Sequence, residues 1–247
     1  MAAGCTMVIK PSPGTVLDSY VMAEAALAAG VPAGVLNWVP ADREVGQYLI
    51  EHPGIDKVAF TGSTAAGRKI AARCGELLRP VTLELGGKSA AILLEDTDLE
   101  TFTQGIPTAC LLNNGQTCYL GTRILAPKSR YDVIVDAVAG FVGALKVGDA
   151  MDPETHVGPL ASEEHRARVE RYIEIGKNAG RLVTGGRRPG ASQGGWFVEP
   201  TVFADVDNTA TIAREEIFGP VLSIIPYEGE EQAIEIANDS DFGLGGS

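Results

Sequence analysis

The stretch LLNNGQTCYLGTR, residues 111–123, puts Cys118 directly after a Gly-Gln-Thr turn at the end of an apolar run. A thiol so placed is a candidate nucleophile. The glycine lets the backbone approach closely, and the cysteine's own N–H can face an oxyanion. A cysteine taken singly is more often a small buried apolar residue, and Cys5, Cys74 and Cys110 are read that way. Glu84, in VTLELGGKSA, is a second candidate. Strand alternation sets Val81, Leu83 and Leu85 on one face and Thr82 and Glu84 on the other. Facing a cleft, this carboxylate is a general base; facing a Lys or Arg, it is half of an ion pair. A third stretch, FTGSTAAGRKI, passes from a strand into a helix. Gly62 permits a tight turn, Ser63 and Thr64 offer N-caps, and the helix N-terminus suits an anion such as a pyrophosphate. Gly62 and Gly67 are spaced G-x-x-x-x-G, which is neither the G-x-G-x-x-G fingerprint nor a P-loop, so a plain strand–turn–helix junction fits equally well. EEIFGPV, residues 215–221, adds two acids, an aromatic and a Gly-Pro turn, and alone reads as the charged entry to a strand.

Composition narrows the chemistry. The 247 residues are 45% hydrophobic and 21% charged, with a net charge of −12 and no block of five basic residues. Nucleic acid is therefore not an expected partner. Residues 1–86 hold 7 basic and 8 acidic side chains, whereas 87–247 hold 13 and 24, so the near-neutral first part better tolerates an anionic cofactor. The four cysteines form no CxxC pair, and His52, His156 and His165 form no HxxxH cluster, so no metal site is expected. No apolar run approaches 18 residues, so no membrane span is expected. A cysteine-poor chain without a signal peptide reads as cytoplasmic, with free thiols.

The elements that must position these residues alternate. TMVIK, GVLNWV, KVAFTG and VTLEL read as strands, separated by helices at 15–30, 43–52 and 64–76. Such alternation predicts βαβ units, a parallel doubly wound sheet, and ligands beyond the carboxyl ends of its strands. After GGK, residues 86–88, a second α/β region begins. Its expected strands are AAILL, RILAP, RLVTGG, FVEPTVF and VLSIIPY, and its expected helices cover 98–113, 129–145, 162–179 and 230–239. GGRRPGASQGG reads as a flexible loop. The expected division is a cofactor-binding domain at 1–86 and a catalytic domain at 87–247.

Together these stretches are far more specific than any one alone. VIKPS, GVLNWV, FTGSTAAGRKI, VTLELGGKSA, NNGQTC, VGDAMDPETHVGPL, FVEPTVF and EEIFGPV follow one another in an order and spacing that resembles the aldehyde dehydrogenase superfamily across the whole chain. The resemblance implies a Rossmann-like cofactor domain followed by an α/β catalytic domain. It implies NAD or NADP as cofactor, and oxidation of a small-molecule aldehyde to a carboxylic acid through a cysteine thiohemiacetal and thioester. It assigns Cys118 as nucleophile and Glu84 as general base. Lys10 would hold the adenosine ribose, Ser63 the pyrophosphate, Glu216 the nicotinamide ribose and Phe218 the nicotinamide; Gly62 and Gly67 would form the dinucleotide turn.

Departures from the family pattern bear on these assignments. Family members often carry Glu three residues after the ribose lysine, where this chain has Pro13. NAD is favoured, with NADP open. Family members are about twice as long and form homo-oligomers through a C-terminal strand that this chain stops short of. The segment bearing the family's oxyanion-hole asparagine lies before Met1. A truncated, poorly active piece is therefore expected. The alternatives are a non-catalytic remnant and a thioester-using relative, either an esterase or a CoA-acylating enzyme; Glu84 argues against the CoA type.

Overall fold

The structure is a computed structural model that describes residues 1–190 and 194–247. Residues 191–193 of the expected loop lie outside the described residues. The chain divides into two compact units, Met1–Glu84 and Leu85–Ser247.

The first unit is built from strand–helix repeats. It runs β1 (Met7–Ile9), α1 (Leu17–Ala28), β2 (Leu36–Trp38), α2 (Arg43–Glu51), β3 (Val58–Thr61), α3 (Thr64–Glu76) and β4 (Val81–Glu84). All pairing is parallel, as expected, but it falls into two pairs, β1 with β2 and β3 with β4. Side chains tie the pairs together: the Arg79 guanidinium donates to the carbonyls of Ile50 and His52 at the C-terminal end of α2, and Arg73 of α3 pairs with Glu51 at 3.2 Å. The helix starts obey local chemistry. The Asp42 carboxylate caps α2 by accepting from the N–H groups of Glu44 and Val45, and Ser63 Oγ caps α3 by accepting from Ala66. α1 is lightly packed, with Leu17, Val21 and Leu27 all more than half exposed.

The second unit centres on a five-stranded sheet ordered β5-β6-β9-β8-β7, formed by β5 (Ala90–Ile92), β6 (Arg123–Pro127), β7 (Arg181–Thr184), β8 (Thr201–Ala204) and β9 (Val221–Tyr227). Only the edge pair β7–β8 is antiparallel. Helices α4 (Leu99–Ala109) and α5 (Tyr131–Gly143) cover one face. Helix α6 (Glu163–Gly176), the single turn α7 (Thr211–Arg214) and α8 (Gly229–Asn238) cover the other. β9 feeds both cores, Leu222 and Ile224 to the first and Val221, Ile225 and Tyr227 to the second. A parallel strand buried on both faces has to be largely apolar, and VLSIIPY is, its one buried hydroxyl, Ser223, donating to the Ile212 carbonyl.

Three boundaries depart from expectation, each for a local reason. The helix expected over 98–113 stops at Ala109: Cys110 and Leu111 already leave helical geometry, and Asn113, Asn114 and Gly115 take left-handed backbone angles. FVEPTVF becomes a strand only from Thr201, since Pro200 lacks the N–H a ladder needs. The α7 turn was not expected, being too short to carry a periodic signal.

One buried cation fixes the segment that leads into the site. Arg123, 1% exposed, donates from Nε to the Lys88 carbonyl at 2.9 Å. Its other nitrogens donate to Asn208 Oδ1 and to the carbonyls of Ile236 and Ala237. Replacing Arg123 by Met leaves four acceptors without their donor, the buried Lys88 carbonyl and three part-buried groups. Each uncompensated group costs roughly 1–3 kcal/mol, so urea unfolding of Arg123→Met should show a loss of about 3 kcal/mol or more.

Candidate active site

In the first unit the chemistry-bearing residues stand where parallel strands end. Lys10 follows β1, and its ammonium donates to the Pro11 and Ala41 carbonyls at 2.7 and 3.2 Å, so it lies across the ends of β1 and β2. Its methylenes pass close to Gly46, where an added Cβ would sit 3.2 Å away. Ser63 caps the N-terminus of α3, and the buried Gly67 lies in that helix's first turn, its N–H donating to the Ser63 carbonyl. Gly62 is needed for a reason its sequence position did not reveal. Its φ is not left-handed; the Phe60 ring occupies the space a Cβ would take, 2.5 Å from it. Glu84 closes β4 opposite Thr61. The expected alternation holds, with Val81 and Leu83 half-buried and Thr82 and Glu84 exposed, and among the described residues the Glu84 carboxylate has no ion-pair partner.

In the second unit one small cleft brings together Cys118, Glu216 and Phe218, with Gly87, Lys88 and Thr117 beside them. Cys118 owes its position to the left-handed run before it. Asn114 accepts from the Gly158 N–H at 2.8 Å and donates to the Pro159 carbonyl at 3.1 Å; Gln116 Oε1 accepts from the Ala161 N–H at 3.0 Å. The NNGQTC turn is thus pinned to the VGPL segment. Gly115, φ +75°, presses on Gly219, whose carbonyl oxygen would lie 2.3 Å from an added Cβ. That contact joins the NNGQTC turn to EEIFGPV.

Gly86 and Gly87 hold the Glu216 carboxylate. The Gly87 N–H donates to Oε1 at 3.2 Å, and a Cβ on Gly86 would fall 2.5 Å from Oε2. Burial raises the pKa of Glu216 above the usual carboxylate range, opposed by that N–H and by the charges of Arg168 and Lys88. Lys88 is 2% exposed; burial, aided by Arg123, pushes its pKa down to about 7, with Glu216 pulling the other way. Phe218 takes a left-handed φ of 62° and stays 38% exposed. Sequence reading passed over Gly86, Gly87, Lys88 and Asn114. The Gly-Gly-Lys run and the Asn-Asn-Gly triplet were their visible signals. A larger cavity of about 450 Å³, walled by Ser89, Arg123 and the tail Phe242–Ser247, has none of Cys118, Glu216 or Phe218 in its lining.

Comparison with known proteins gives one consistent picture. The model of the aldehyde dehydrogenase family matches residues 1–247. The chain is 66% identical, over its full length, to geranial dehydrogenase of Castellaniella defragrans, of which it covers 52%. Its fold matches that of an aldehyde dehydrogenase from Mycobacterium tuberculosis complexed with NAD+, with a TM-score of 0.96 and 55% identity, over 99% of this chain and 51% of that one. It also matches a mutant of aldehyde dehydrogenase C from Pseudomonas syringae complexed with NAD+ and octanal, with a TM-score of 0.96 and 40% identity, over 99% of this chain and 51% of that one. The chain therefore spans about half the length of these relatives.

The thiols differ sharply in access. Cys74 and Cys110 are fully buried, and burial pushes the Cys110 thiol up to about 12; Cys118 is half-buried and Cys5 exposed. Exposure makes Cys5 a competitor for any reagent, so the clean comparison uses a Cys5→Ser background. Limiting iodoacetamide followed by peptide mass mapping should then label Cys118 and leave Cys74 and Cys110 unmodified. Gly87→Ala would set a Cβ 2.2 Å from the Cys118 carbonyl oxygen. It should lower stability by about 1–3 kcal/mol, the usual cost of overpacking, and change the labelling rate at Cys118.

Proposed function

The chain belongs to the aldehyde dehydrogenase family, and from that premise we propose that it carries the nucleophile, the general base and the dinucleotide contacts of an NAD-dependent aldehyde oxidation. The observation that carries this reading is the single cleft shared by Cys118, Glu216 and Phe218. Each unit offers groups that suit one part of a dinucleotide. The free N-terminus of α3, capped by Ser63, suits a pyrophosphate. Lys10 presents its ammonium at strand ends, where its partners are neutral carbonyls, and can reach ribose hydroxyls. Glu216 would offer a carboxylate to the second ribose, and the exposed Phe218 ring would serve the nicotinamide. NAD supplies the hydride acceptor when bound.

The Cys118 thiolate adds to the aldehyde carbon and leaves an oxyanion facing its own N–H. Loss of hydride from that carbon makes a thioester to Cys118. Glu84 takes a proton from water; the water oxygen attacks the thioester carbonyl, the carbon–sulfur bond breaks, and a carboxylate and the thiolate are released. Covalent attachment splits one hard oxidation into two easier steps. The reaction suits a compartment that keeps Cys118 reduced, as the cytoplasm does.

In a chain that supports hydride transfer, Glu84→Gln should give a normal NADH burst and a steady-state rate lower by about 10²–10⁴, the usual worth of a general base. Equal loss of burst and steady state in stopped-flow absorbance would move Glu84 out of deacylation. Lys10→Ala should weaken NAD binding in calorimetry while leaving the rate at saturating cofactor within about twofold, since uniform binding contacts act on affinity alone.

A further inference from the structure

The Glu215–Gly219 loop is held from one side by a single stripe of α6. Tyr172 Oη donates to Glu215 Oε2 at 2.6 Å. Arg168 Nη2 donates to the Glu216 carbonyl at 2.6 Å, and the guanidinium lies over the Tyr172 ring, 5.1 Å from its centroid. His165 Nε2 lies 2.5 Å from the Phe218 carbonyl oxygen, so in this bond that nitrogen carries the proton. The His165 and Phe218 rings also meet edge to face, 5.8 Å apart. Val169 fills the space beside Gly219, where a Cβ would sit 2.5 Å from a Val169 methyl. Residues 165, 168, 169 and 172 are spaced i, i+3, i+4 and i+7, which is one face of a helix.

This stripe is aimed at the point where the loop is least able to hold itself. An aromatic residue with a left-handed φ persists only where its surroundings over-determine it, and Phe218 is in that state. Its carbonyl is fixed by His165, the preceding loop by Arg168, and the following glycine by Val169. The same helix begins at Ser162, whose Oγ accepts from the His165 N–H, one residue after Ala161, which is bonded to Gln116. α6 therefore references the Glu216 loop and the Cys118 turn to one rigid element.

We propose that His165, Arg168 and Tyr172 are positioning residues that fix the left-handed turn at Phe218 and, through it, the direction of the Glu216 carboxylate, so that they set affinity for the nicotinamide half of the cofactor without touching its adenosine half. The inference rests on the reading above that Glu216 and Phe218 serve the nicotinamide end. Arg168 acts through Glu216, by its bond to the main chain and by its charge beside the carboxylate, so its effect must vanish when that carboxylate no longer contributes.

The test is calorimetric titration of the chain with NAD and, separately, with AMP, which probes the adenosine end alone. Arg168→Met should weaken NAD by about tenfold, within the range of coupling between residues in contact, and leave AMP within twofold. Tyr172→Phe keeps the ring and loses one hydrogen bond. It should weaken NAD by a smaller factor and leave AMP unchanged, and it carries the test if Arg168→Met does not fold. In a Glu216→Gln background, Arg168→Met should add less than twofold. The inference is overturned if Glu216→Gln weakens NAD while Arg168→Met and Tyr172→Phe do not. It is also overturned if the loss is undiminished in the Glu216→Gln background, or if AMP and NAD weaken together, which marks a general fold defect. If Glu216→Gln itself leaves NAD binding unchanged, the reading of Glu216 fails first and the inference falls with it.

Discussion

Gly87 lies where two parts of the second unit nearly touch. Its α-carbon faces the Cys118 carbonyl oxygen, with space for hydrogen but none for a methyl, while its N–H reaches the Glu216 carboxylate. A side chain there would push the cysteine turn away from the carboxylate, and the cleft depends on their proximity. Much of the unit can be understood as holding this crossing still. Arg123 grips the next carbonyl, at Lys88, from inside the sheet. β5, which follows at Ala90, is paired to β6 on one side and bridged to Gly246 on the other. A crossing made of main chain is sterically thin but conformationally loose, since glycine loses more freedom on ordering than other residues. The anchors on either side supply the rigidity that the glycines lack.

The charges around the cleft follow the same economy. Lys88 and Glu216 are both removed from water, and desolvation pushes each toward its neutral form, the amine down and the carboxyl up. Each is partly restored by the other's charge. Glu216 is further held by the Gly87 N–H and by Arg168, so the anion has donors on its carboxylate and a cation near its main chain. Arg123, with four acceptors of its own, is fully bonded and yet lowers the neighbouring amine's affinity for a proton. The burial of Lys88 and the partial burial of Glu216 strengthen the coupling between their charges relative to water.

Packing also explains why separate stretches of this sequence occur as a set. NNGQTC needs VGPL, because Asn114 and Gln116 satisfy main-chain groups at 158–161. It needs EEIFGPV, because Gly115 packs onto Gly219. EEIFGPV in turn needs α6 and the glycines of LELGGK. A change in any one segment leaves unpaired polar groups or a clash in another.

Much of this was legible in the amino-acid sequence. The apolar run of β9, the cap at Ser63 and the alternation of β4 depend on neighbours in the chain, so the elements and their order could be read directly. Cys118 and Glu84 were candidates by residue type and spacing, whereas Lys10 and Glu216 were singled out only by the resemblance to a family. What the sequence could not give were relations between residues distant along it. That Asn113 and Asn114 would turn left-handed goes with Asn114's bonds to Gly158 and Pro159, 44 and 45 residues away. That Gly62 answers to the Phe60 ring, and Gly86 to a carboxylate 130 positions on, follows from volumes that exist only in the folded unit. That Lys88 is buried beside Arg123 and Glu216 is a matter of three strands and a loop converging. Local propensity is set by a few bonded neighbours, whereas close approach, desolvation and main-chain satisfaction are set by whatever the fold brings alongside, and only the tertiary structure decides that.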